Sequence, residues 1–126
     1  MQSRIVASPD VPATRGYAAA VEVSGASRFL FVSGQIPALA DGTVPEGFEA
    51  QCRACWRNVL AQLAAAGMGP DNIVKVTAFL TDAAFTPVAR AVRAEVLGGR
   101  EVAATTVVAG LLDPAWLIEI EAVAAA

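Results

Sequence analysis

Val32-Ser33-Gly34-Gln35-Ile36-Pro37, taken with Leu117-Ile118-Glu119-Ile120-Glu121-Ala122, decides the fold. The first stretch reads as an apolar strand that stops at a glycine turn. The second alternates, so its isoleucines share one strand face and its two carboxylates the other. A small domain rarely carries acids on a strand without a use for them. Just upstream, Phe29, Leu30, Phe31 and Val32 are apolar on both faces, and such a strand needs cover on both sides. Tyr17 to Val23 is a second strand. Ser24-Gly25-Ala26-Ser27 is a turn cluster, and Arg28 to Ser33 runs back from it, which predicts a hairpin. Ser3 to Ala7 is a short edge strand, closed by Pro9 and Pro12.

The remaining segments alternate. Phe48, Cys52, Cys55, Trp56, Val59, Leu60 and Leu63 recur at three- and four-residue steps, which predicts a helix from Phe48 to Ala66, stopped by Gly67. Ile73 to Leu80 is rich in β-branched residues and reads as a strand. Asp82 is a plausible N-cap for a second helix over Ala84 to Leu97, with Pro87 in its first turn and Gly98-Gly99 as its stop. Thr105 to Val108 and Trp116 to Val123 are the last strands. The order β-β-β-α-β-α-β-β predicts a single α+β domain over residues 1–126, with two helices packed on one face of a mixed sheet. The other face is expected to be apolar and covered by further subunits.

Composition narrows the function classes. The 126 residues carry a net charge of −3, and the nine basic residues are scattered. Phosphate backbones need clustered cations, so a nucleic-acid surface is not expected. The mean hydropathy of +0.53 is high, yet no uncharged apolar run approaches the about 20 residues of a membrane span. No secretory leader is evident at the start, and the expected location is cytoplasmic. There is no histidine. That removes the commonest general base, the commonest zinc ligand and any Ser-His or Cys-His nucleophile. Acid-base work falls to carboxylates, Tyr17, Lys75 or held water.

Several markers occur in a fixed order: Gly16-Tyr17, Val32 to Pro37, Gln51 and Asn58 on the first helix, Ala65-Ala66-Gly67, Ile73-Val74-Lys75-Val76-Thr77, Leu80-Thr81-Asp82, and Ile118 to Ala124. With these the chain resembles the Rid family, also called the YjgF or L-PSP family. The resemblance implies a chorismate-mutase-like fold and a homotrimer with a central barrel of sheets. It also implies ligand sites in clefts between subunits, and hydrolysis of reactive imines and enamines without cofactor or metal. Its catalytic residues would be Glu119, which orients or activates water, and Tyr17. Its substrate contacts would include Ser33 and Gly34. An arginine that clamps the substrate carboxylate would stand at position 104, fifteen residues before Glu119. Here that residue is Ala104, followed by Thr105 and Thr106.

A methyl group cannot hold a carboxylate. Three readings follow. The substrate lacks a carboxylate at that end, another cation (Arg90, Arg93 or Arg15) replaces the clamp, or the pocket binds a ligand without chemistry. Arg90 matches a helix position of the family site and is otherwise a solvated helix residue. Thr105 and Thr106 are β-formers that also offer hydroxyls, and Trp116 either caps a pocket or packs at a core or interface. The first reading, an enzyme for an altered imine, enamine or related small molecule, is preferred. The alternative is a non-catalytic trimeric ligand-binding or scavenging protein. A ribonuclease role has no basic groove or histidine behind it. Cys52-Arg53-Ala54-Cys55 sits inside the first helix on its apolar stripe, so buried reduced thiols are expected in preference to a redox or zinc pair.

Overall fold

The computed structural model describes residues 1–126. Six strands and two helices follow one another as β1 (Gln2–Val6), β2 (Ala20–Ser24), β3 (Phe29–Gln35), α1 (Phe48–Ala65), β4 (Ile73–Leu80), α2 (Thr86–Val96), β5 (Ala103–Val108) and β6 (Ile118–Ala125). The element order is the one the periodicities predict. The main sheet runs β3-β6-β4-β5. It is mixed, because β4 and β5 are parallel while β6 is antiparallel to both its neighbours.

The expected β2–β3 hairpin does not form. β2 pairs instead with β1, from Gln2↔Ser24 to Val6↔Ala20. β3 pairs with β6, with Leu30 opposite Ala124 and Val32 opposite Ala122. Gly25 does take the left-handed conformation of a turn (φ 67°). It cannot choose the partner strand, and the apolar stripe of β6 supplies a better one for Leu30 and Val32. Nor does the strand stop at Gly34, since β3 continues to Gln35 through an irregularity in register between Val32 and Gln35. Such a bulge redirects side chains locally.

Both helices lie on one sheet face. Ile118, Ile120, Ala122 and Ala124 of β6, with Val76 and Leu80 of β4, are buried against Cys52, Cys55, Trp56, Val59 and Leu63 of α1 and Val92 of α2. Phe48 and Phe85 stack at 4.3 Å between centroids, which ties the start of α1 to the turn before α2. Asp82 caps that turn by accepting from the Ala84 N–H at 2.8 Å.

Two marker residues gain a structural role. The Gln51 amide donates to the Pro45 and Ala115 carbonyls, and its oxygen accepts from the Leu117 N–H. Asn58 donates to the Ile36 and Ala38 carbonyls. Each holds a loop that lacks ladder partners of its own. On the opposite sheet face, alternation places Phe29, Phe31, Ser33, Glu119, Glu121, Lys75 and Thr77. That face is apolar at its β3 end, where Phe31 is 76% exposed, and mixed beyond it, because Val123, Phe79 and Val107 stand among the charged and polar residues.

The two thiols are fully buried and free. Burial pushes Cys52 up to about 11, and Cys55, whose thiol faces the Ile118 carbonyl, higher still. Below about pH 9 folded and unfolded chains both keep these protons. Above it only the folded chain does, so stability should fall from about pH 9 through 11 by up to about 1.4 kcal/mol per pH unit per thiol. Urea unfolding across that range, compared with a Cys52→Ala/Cys55→Ala variant, checks this. The variant should show a shallower fall, and the native thiols should resist a thiol reagent until denaturant is added.

Candidate functional site

The edge of β5 forms one wall of a cavity of about 350 Å³, lined by Tyr17, Arg90, Arg93, Ala104, Thr105 and Thr106. Tyr17 reaches it from the segment just before β2, not from within that strand. Ala18 forms a parallel bridge to Ala103, with its N–H donating to the Val102 carbonyl at 2.9 Å, and this fixes the segment against β5. Thr14 donates to the Tyr17 carbonyl at 2.8 Å. The structure thus gathers six of the residues singled out in the sequence, Tyr17, Ala104, Thr105 and Thr106 with two of the three candidate cations, Arg90 and Arg93.

Arg90 and Arg93 stand three apart on α2 and so share a face of the helix. Arg93 is 8% exposed and donates to the Gly16 carbonyl at 3.3 Å. Burial, then the neighbouring Arg90, lowers its pKa from the ordinary guanidinium value, with Tyr17 opposing. The signal for Arg93 was present in the sequence as a cation among Ala89, Val92 and Val96, on the apolar side of the helix. On the open sheet face, away from α2, the Lys75 ammonium donates to the Thr105 hydroxyl at 2.6 Å.

Glu119 lies elsewhere. It sits on the open sheet face, opposite Phe79 of β4. β6 is two strands away from β5, about 10 Å at ordinary strand spacing. Glu119 lines none of the β5-edge cavity. Its neighbour is Gly34: a β-carbon built there would stand 2.0 Å from Glu119 Oε2 and 2.8 Å from its carboxyl carbon. The close approach that the missing side chain permits is therefore to the carboxylate of the same chain. Glu119 has no hydrogen-bond or ion-pair partner in the chain, whereas the exposed Glu22, Glu49 and Glu95 all pair with arginines. Ser33 is exposed beside it. Trp116 sits in the turn ahead of β6 and does not line the cavity. No three of the acids and cysteines cluster closely enough to hold a metal ion.

A helix-backed mixed sheet with this element order is the chorismate-mutase-like fold of small L-PSP-type proteins. A family model described as Endoribonuclease L-PSP matches residues 8–126. The solved structure of the Rid family protein YyfB from Yersinia pestis, described as of unknown function, superposes over 100% of both chains with a TM-score of 0.87 at 27% identity. A RutC family protein of Aquifex aeolicus is 44% identical over 81 residues, which is 63% of this chain and 62% of that protein. TdcF of Escherichia coli, whose name assigns it provisionally to the reactive intermediate deaminases, is 41% identical over 54 residues, 42% of each chain. The chain belongs to the endoribonuclease L-PSP family, also called Rid. No helix is long and apolar enough to cross a membrane.

Proposed function

We propose that the protein is a Rid-type hydrolase of a small imine, enamine or related reactive intermediate, working in clefts between the subunits of a homotrimer. The carrying observation is the division of the site within one chain. Tyr17 and residues 104–106 line one cavity, while the unpaired Glu119 carboxylate and Gly34 lie two strands away. A cyclic assembly can bring the Glu119 half of one protomer to the Tyr17 half of its neighbour. The exposed Phe29 and Phe31 on the Glu119 face supply apolar surface for that contact. The family membership and the TdcF likeness support the reaction class.

In this mechanism the Glu119 carboxylate takes a proton from water as the water oxygen bonds to the imine carbon. The C=N π electrons move to nitrogen, which takes that proton back from the Glu119 carboxyl and leaves a neutral carbinolamine. The carbinolamine then collapses: its hydroxyl proton passes by way of the Glu119 carboxylate to the amine nitrogen, the C–N bond breaks, ammonia leaves, and a carbonyl remains. Tyr17 and Thr106 orient the substrate through hydroxyl donors, with Thr105 between Ala104 and Thr106 in the strand that lines the cavity. Ala104 alters the substrate choice, since the strand offers no guanidinium there.

The test is ammonia release from a panel of imines generated in place by an amino-acid oxidase, on protein whose mass is first measured by light scattering. A trimer that accelerates at least one imine is expected. Turnover of 2-iminopropanoate, a monocarboxylate, should be slow, and Ala104→Arg should raise it about tenfold, the scale of one charge-assisted contact. A stable monomer, or no acceleration of any imine, would leave a ligand-binding protein in place of an enzyme.

A further inference from the structure

We propose that the β5-edge cavity takes a doubly charged oxyanionic ligand, a dicarboxylate or a phosphate monoester, gripped from helix α2 by Arg93 with Arg90. This rests on reading the cavity as the substrate site. Arg93 is 92% buried, counting from its 8% exposure, yet its one hydrogen bond is to a neutral carbonyl at 3.3 Å. The ion pairs of the chain join Arg4 and Arg53 to acids at its surface, where they are worth least. The arginine that most needs a counter-ion has none, and no acid lines the cavity. A buried unpaired cation is costly, and an anionic ligand removes that cost.

Charge count favours two negative charges. Arg90 and Arg93 bring two cations to one wall, and a monoanion would leave one uncompensated. The opposite wall is ready to donate. Thr105 turns its hydroxyl to the other sheet face, where it accepts from Lys75, while Thr106 lies level with Ala78 on the helix side. Thr106 and Tyr17 supply the hydroxyls. Ala104 leaves open the space that a longer or bulkier anion needs. The guanidinium pair thus stands on the helix instead of the strand, and selects a different acid.

Calorimetric titration of the wild-type protein with pyruvate, 2-oxoglutarate and inorganic phosphate, at neutral pH and low ionic strength, tests this. Either dianion should bind about tenfold more tightly than pyruvate, and whichever binds more tightly identifies the source of the charge. Arg90→Gln, at an exposed position, should erase the advantage of the dianion while leaving the fold intact. Arg93→Lys keeps the charge and loses the fork, and should weaken every anion about tenfold. Equal affinity for mono- and dianions, affinity unchanged by Arg93→Lys, or no binding by the wild type would each overturn the inference. These titrations need no turnover. Imine hydrolysis without anion binding overturns this inference alone, and anion binding without hydrolysis supports it while overturning the enzymatic reading.

Discussion

Glu119→Gln should lower turnover of the responsive imine by about a hundredfold or more, the usual scale for losing a general base, with the assembly unchanged by light scattering. The amide keeps the shape and the contact with Gly34 but cannot take a proton from water. Glu121→Gln is the control. Glu121 is exposed on the same strand face, opposite Thr77, and has no comparable niche. Its loss should cost less than about threefold. Gly34→Ala should fall between the two, because its methyl group displaces the carboxylate without removing it. Steady-state kinetics on the three variants make the comparison. Equal rates in wild type and Glu119→Gln would make Glu119 structural and transfer the protein to the ligand-binding reading.

The second large effect is on stability. Gln51→Leu should cost about 3 kcal/mol, measured by urea unfolding. Gln51 is 3% exposed and ties three backbone groups from two loops: the carbonyls of Pro45 and Ala115 and the N–H of Leu117. Leucine fills similar volume, so the loss is chiefly of hydrogen bonds. Each group left unpaired inside the protein costs about 1–3 kcal/mol, and loop relaxation recovers part of it. Gln62→Leu, on the exposed side of the same helix, should lie within about 0.5 kcal/mol of wild type. Gln51→Leu should also slow turnover, because Leu117 sets the position from which β6 delivers Glu119. An unfolding midpoint equal to that of wild type would mean that the two loops are held by other contacts.

What the sequence disclosed and what it hid have physical reasons. The helices and strands were legible because burial imposes periods of 3.6 and 2 on the residues. The side on which Glu119 and Glu121 stand followed from alternation alone. The β2–β3 hairpin failed because turn residues report reversal of the chain, whereas pairing is settled by strands far apart in sequence. Tyr17, Arg90, Ala104, Thr105 and Thr106 were singled out before their common cavity could be seen. Arg93 remained one cation among three, since no local pattern tells a buried guanidinium from a snorkelling one. The separation of Glu119 from that cavity is a matter of strand order, β6 and β5 lying on either side of β4. Gln51 and Asn58 stood out as markers, but their work on distant carbonyls leaves no trace in nearby residues.

The fit between Gly34 and Glu119 also constrains how the chain can drift. One β-carbon at position 34 takes the space of the carboxylate, so the two positions cannot vary independently. Descendants that keep the acid are held to glycine across a gap of more than eighty residues. Descendants that lose the acid are released, and alanine or serine can enter at no steric cost. A mutational scan selected for folding alone should therefore tolerate alanine at 34. A scan selected for activity should reject it, and the difference between the two would show the pair as a single heritable unit.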